Sequence, residues 1–166
     1  MIDLIYVSAA RISFSRVDLS RLLQKARVRN AALGVSGMLV YESGSFLQVI
    51  EGDASVIKGL YAKIAADTRH HRLVKLLEGT LEKRNFADWS MGFANVDPGE
   101  RGASELMSQG FSPAAFLRGD SPSKAKEVLM AFRQGRFHAH VDADASLVEA
   151  VRPEMGNQSN VGVPPR

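Results

Sequence analysis

Tyr6 and Gln48 each put a polar group into an otherwise apolar, alternating row. In the run Ile2 to Val7, alternation places Ile2, Leu4 and Tyr6 on one face and Ile5 and Val7 on the other; in Phe46 to Ile50 it places Phe46, Gln48 and Ile50 together. A buried amide without partners costs roughly 1–3 kcal/mol, so Gln48 must meet a side chain, a backbone group, water or a ligand. With the two strands adjacent, phenol and amide point the same way and form a natural pair. Two readings stay open for them: mutual satisfaction inside the core, or a shared site. Arg29 and Asn30 could donate to a carbonyl-rich ligand or form a solvated helix end. Lys63 and Asp67, four apart, suit a surface ion pair. His70 and His71 diverge as neighbours, and no carboxylate or thiol cluster accompanies them, so no metal site is expected. Trp89, Ser90 and Met91 read as strand residues, with Trp and Met filling core.

The elements that position these residues are organised around a hairpin, Gly34 to Asp53, with turn chemistry at Ser43-Gly44-Ser45 and Asp53 ready to cap the next helix. Before it, Ser15 and Asp18 form a capping box and Phe14 with Leu19 a hydrophobic staple. They open a helix with the stripe Leu19, Leu22, Leu23, Ala26, which runs out near Asn30. After it, Ile57, Leu60, Tyr61 and Ile64 stripe a second helix. Arg72 to Leu81 and Trp89 to Val96 give a fourth and a fifth strand. The order β, α, β, β, α, β, β predicts an α+β, ferredoxin-like sandwich, with both helices on one sheet face. Short helical pieces are expected at 103–109 and after Ser112-Pro113, and a clearer helix at 122–134. The stripe Ala125, Val128, Leu129, Phe132 of that helix calls for packing on the opposite face. From 139 onward the chain reads as a flexible tail.

At 166 residues and 45% hydrophobic composition the chain suffices for one good core. No run of eighteen apolar residues and no secretory start is present, so a soluble, cytoplasmic protein is expected. Absence of cysteine removes disulfides and thiolate catalysis. The net charge of +3 is modest and its cations scattered, which speaks against nucleic-acid binding. No nucleophile elbow, zinc-protease or phosphate-loop motif occurs, so no enzyme is indicated.

Taken together, Tyr6, RVRNAALGVSGML at 27–39, FLQVIEG at 46–52, DTRHHR at 67–72 and FADWSM at 86–91 resemble the BLUF domain, a family of flavin-binding blue-light sensors. The resemblance covers about residues 1–97, in the family's order and spacing. It implies an isoalloxazine ring between the helices around 16–30 and 54–67, flanked by Leu22 and Ile64. Asn30 would bond the polar edge of the flavin, with Arg29 at the neighbouring contact, where many relatives carry Asn or His. Lys63 and Asp67 match positions that reach the carbonyl and imide edge. Tyr6 matches the photochemical electron and proton donor, and Gln48 the amide linking it to flavin N5 and O4. The resemblance implies that light-driven transfer from Tyr6 would rearrange the Gln48 hydrogen bonds, by rotation or tautomerisation, to a red-shifted signalling state. Trp89, Ser90 and Met91 match the segment that passes the signal outward.

The resemblance further implies a short BLUF type without a fused effector: a photosensor over 1–97, a helical cap over 98–138 and the tail over 139–166. FAD is the expected cofactor, with FMN and riboflavin as the other forms. The expected partner is a separate effector protein, such as a cyclic-dinucleotide phosphodiesterase or a transcriptional regulator. The apolar surface of the cap also suits a homo-oligomer, in the simplest case a dimer. The competing class is a light-independent, ferredoxin-like interaction module that has lost flavin photochemistry.

Overall fold

The computed structural model describes residues 1–95, 97, 107–119 and 123–138. Among them the chain runs β1 (Ile2–Ala10), α1 (Arg16–Ala32), β2 (Ser36–Glu42), β3 (Ser45–Gly52), α2 (Ala54–Ala65), β4 (His70–Thr80), β5 (Gly92–Asn95), α3 (Pro113–Arg118) and α4 (Lys124–Arg133). The five strands form one mixed sheet in the order β4-β1-β3-β2-β5; β1 is antiparallel to β3 and β4, β2 to β3, and only β2 and β5 run parallel. Strand order and helix placement are those of the expected α+β, ferredoxin-like fold.

Local chemistry accounts for the joints. Ser43 and Gly44, at φ 47° and 81°, make the two-residue turn whose doubly positive φ matches the strand twist and sets the β2–β3 register. Ser15 and Asp18 complete the capping box of α1, and the Asp53 carboxylate accepts from the Ser55 and Val56 amides at the start of α2. Alternation then sorts side chains to two cores. Leu4, Tyr6, Leu39, Phe46 and Ile50 face α1 and α2, meeting Leu19, Leu23, Ile57 and Leu60. Ile5, Val7, Met38, Val40, Leu47 and Val49 face the other way, where Ala125, Leu129 and Phe132 of α4 close over them.

Several bounds differ from the sequence expectation. Helix α1 continues two residues past Asn30, and β4 starts at His70 rather than Arg72. The fifth strand begins at Gly92, not Trp89. The Trp89 carbonyl accepts from the Gly37 amide (3.0 Å) and the Ser90 carbonyl from Asn30 Nδ2 (2.8 Å), so these groups serve contacts outside the β2–β5 ladder. Helix α4 begins at Lys124, because the Ser123 hydroxyl accepts from the Lys126 amide and caps it there. Val96, residues 103–106, Ser121, Pro122 and the tail expected over 139–166 lie outside the described residues.

Candidate functional site

The register makes Tyr6 and Gln48 direct partners across β1 and β3. Both are buried, and the Tyr6 hydroxyl donates to Gln48 Oε1. At its other end, Gln48 Nε2 donates to Met91 Sδ at 3.4 Å. Thioether sulfur is a weak acceptor, so the amide has one strong and one weak anchor. Burial pushes the Tyr6 phenol well above its ordinary pKa, against the opposing pull of the Arg29 charge, so Tyr6 holds its proton at neutral pH. The Tyr61 ring stands edge-on to Tyr6 at 5.6 Å and keeps that side of the phenol apolar.

Above this pair, α1 and α2 leave a cavity of about 180 Å³. Leu22 from α1 and Ile64 from α2 face it from opposite helices, with Leu39 and Phe46 contributed by the sheet. Polar groups converge on the same space: Tyr6, Ser8, Gln48, Arg29, Asp67 and His70. Burial lowers the Arg29 guanidinium pKa without threatening its charge. The Asp67 carboxyl is held down at about 2, chiefly by its hydrogen bonds from Arg69. His70 is kept neutral mainly by burial, and its Nδ1 is buried with no partner among the described residues. Apolar walls from two helices, donors and acceptors at the rim and an orphaned ring nitrogen suit a flat heteroaromatic ligand with a polar edge.

Of the residues singled out in the sequence, Tyr6, Leu22, Arg29, Gln48, Ile64 and Asp67 line this cavity; Asn30 and Lys63 do not. Asn30 is fully buried, its amide nitrogen on the Ser90 carbonyl and its oxygen accepting from Arg29 at 3.4 Å. Lys63 is exposed on α2. Its expected ion pair with Asp67 is replaced by the Asp67–Arg69 pair, because α2 ends at Ala65 and Asp67 leaves the helical i,i+4 geometry. The segment 89–91 divides between faces: Met91 is buried against Gln48, whereas Trp89 packs edge-on to Phe111 at 5.5 Å in the opposite core. Ser8 was legible as the i+2 neighbour of Tyr6 on the same face. Arg27, whose Nε donates to the Met91 carbonyl at 2.9 Å, had no sequence signal beyond its place near the helix end.

A slot between two helices of a ferredoxin-like sheet, floored by a tyrosine–glutamine pair, suits a small-ligand-binding class of domain. A family model described as "BLUF: Sensors of blue-light using FAD" matches residues 1–92, and the chain belongs to that family of blue-light flavin sensors. The chain is 42% identical over 79 residues to photoactivated adenylate cyclase subunit beta of Euglena gracilis, which covers 48% of this chain and 9% of that protein. The chain therefore spans about a tenth of the length of the adenylate cyclase subunits it matches. Its fold is similar to the dark-state structure of BlrB, a BLUF protein, with TM-score 0.57 and 27% identity over 81% of this chain and 96% of the other. It also resembles Klebsiella pneumoniae BlrP1 with FMN and cyclic diGMP, with TM-score 0.65 and 27% identity over 81% of this chain and 35% of that one. No helix among the described residues is long and apolar enough to cross a membrane.

Proposed function

We propose that this chain senses blue light through Tyr6 and Gln48 and carries out no catalysis of its own. The observation that carries this reading is the Tyr6–Gln48 hydrogen bond on the cavity floor, with the far end of the same amide resting on Met91. Leu22 and Ile64 would flank the flavin ring from opposite helices, and Arg29 and Asp67, which line the same cavity, would hold its carbonyl and imide edge. Asn30 fixes Arg29 and Ser90 at that edge; Lys63 has no contact in this reading. When bound, the flavin supplies a light-generated oxidant. With that oxidant as the electron acceptor, Tyr6 would supply one electron and release its hydroxyl proton along the hydrogen bond to Gln48 Oε1. The Gln48 amide reorganises, and because its hold on Met91 is weak, the exchange of partners reaches the 89–91 segment at small cost. Output is a packing change read by a separate effector, and residues 98–138 act as the cap that transmits it.

The visible spectrum of the purified protein tests this, in darkness and under blue light, for the natural chain and for Tyr6→Phe and Gln48→Leu. A flavin spectrum with a small reversible red shift, lost in both variants, is the expected result. Bound flavin without a shift, or a shift that survives in Tyr6→Phe, overturns the assignment of roles.

A further inference from the structure

Residues 107–111 pass from one face of the sheet to the other, beside β5, its edge strand. Met107 packs against the core that α1 and α2 cover, whereas Phe111 is buried in the core beneath α4. Between them the Gln109 carbonyl accepts from Trp89 Nε1 at 3.4 Å, and the Phe111 ring fills the space that a Cβ on Gly92 would need. This crossing therefore lies against residues 89–92, the stretch that holds Met91. One side chain of α1 ties the two together. Arg27 Nε donates to the Met91 carbonyl at 2.9 Å, and its Nη2 donates to the Met107 carbonyl. The carbonyls of Trp89, Ser90 and Met91 are thus held in turn by the Gly37 amide, Asn30 and Arg27, and the last of these holders also grips residue 107. A guanidinium presents its N–H groups in one rigid plane, so the two carbonyls cannot move independently while both stay bound. Burial lowers the Arg27 pKa without threatening its charge, and it strengthens both bonds by keeping water from competing for them. The Met91 side chain meanwhile rests on Gln48 Nε2. Backbone and side chain of this one residue are held by two different partners, one on α1 and one on β3.

Resting on the photosensor reading above, we propose that Arg27 is a positioning residue for the Gln48 amide: acting through Met91, it keeps the thioether on Gln48 in darkness and couples that placement to residues 107–111. Losing this grip costs the dark arrangement more than the lit one, so the drive to return in darkness falls. Lysine is no substitute, because an ammonium on a flexible stem lacks the planar fork that spans both carbonyls. The flavin-loaded full chain is labelled with heavy carbon at its methionine carbonyls. Its light-minus-dark infrared spectrum is recorded alongside the dark recovery of its visible spectrum. Isotope-shifted bands from Met91 and Met107 are expected, those of Met107 being the ones that Met107→Leu removes. In Arg27→Lys the red shift persists, the Met107 bands vanish and recovery slows about three- to tenfold. Arg27→Gln, which keeps a single amide donor group and no charge, repeats that result. In the Met91→Leu background, where the thioether is gone, adding Arg27→Lys slows recovery no further, which a merely structural role for Arg27 would not produce. Met107 bands absent from the natural chain or retained in Arg27→Lys, or equal slowing in the two backgrounds, overturn the role of Arg27 and leave the photosensor reading standing. A natural chain without a red shift overturns that reading and this inference with it.

Discussion

Gln48 Nε2 donates to Met91 Sδ at 3.4 Å, and this contact joins the Tyr6–Gln48 pair to the 89–91 segment, of which Met91 lies in one core and Trp89 against the other. Replacing Met91 by Leu keeps volume and apolar character but removes the acceptor, leaving one amide hydrogen of Gln48 without its partner. A loss of about 0.5–1 kcal/mol from one state of the photocycle corresponds to a two- to fivefold change in a rate. Met91→Leu is therefore expected to retain the light-induced red shift and to change its dark recovery by that factor. Recovery identical to the natural chain, followed at a single wavelength after a blue flash, would mean that the sulfur contact carries nothing.

Glu51 is fully buried, and its carboxylate accepts from Ser36 Oγ (3.1 Å), the Asn85 amide and Nδ2 (2.9 Å each) and the Phe86 amide (3.1 Å). It pins the loop after β4 to the end of β3, three residues from Gln48, and so fixes where Trp89 to Met91 begin. Arg84 strengthens the clamp by donating to the Gly34 carbonyl and to Ser36 Oγ. Glu51→Ala leaves several buried donors unpaired and is expected to cost about 3 kcal/mol or more in urea denaturation. Glu51→Gln, which keeps one acceptor oxygen, should cost less than the alanine variant; equal losses would show that packing rather than hydrogen bonding holds the loop.

His70 gives a defined pH window. Burial is the largest influence and lowers its pKa from 6.5, with Asp67 opposing and Arg69, His71 and Arg11 adding to it. Between the folded value and 6.5 the unfolded chain binds more protons, so stability rises with pH across that interval and is flat above it. Asp67, held at about 2, stays ionised throughout and adds no slope there. The urea midpoint is expected to fall on acidification from pH 7.5 to pH 5, and His70→Gln should flatten the dependence. A slope undiminished in His70→Gln assigns it to another group.

The sequence disclosed the sheet and its polar pair because alternation is a short-range signal: Tyr6 and Gln48 each break an apolar row, whatever the rest of the chain does. Their direct pairing required only that β1 and β3 be neighbours, which the element order implied. The division of 89–91 between two faces was not legible. It depends on the Trp89 and Ser90 carbonyls being taken by Gly37 and Asn30, contacts 52 and 60 residues away in sequence that leave no periodic trace. The same holds for Arg27, whose guanidinium reaches Met91 from α1, and for Asn30, whose amide faces Ser90 rather than the cavity. The Lys63–Asp67 ion pair turned on a boundary: two residues of helix decide whether Asp67 lies above Lys63 or beyond it, where it pairs with Arg69.

The last prediction concerns the route outward. Phe111 packs edge-on to Trp89 and also seats against Gly92, where an added Cβ would stand 2.6 Å from its Cγ. One ring thus touches the residues on both sides of Met91, so a displacement of Met91 must move Phe111 or lose packing around it. Phe111 meets Phe86, which in turn lies 4.7 Å from Phe116 of α3, carrying the contact to the C-terminal helices. Blue light is expected to change amide-hydrogen exchange in residues 107–133, and Phe111→Ala to abolish that change while the red shift persists. Because emptying this site costs about 3–5 kcal/mol, Phe111→Leu serves as a milder second variant in which the exchange response is reduced and folding retained. A response of α4 that survives both variants would place the route elsewhere, for example through the Arg27 guanidinium, which spans the Met91 and Met107 carbonyls.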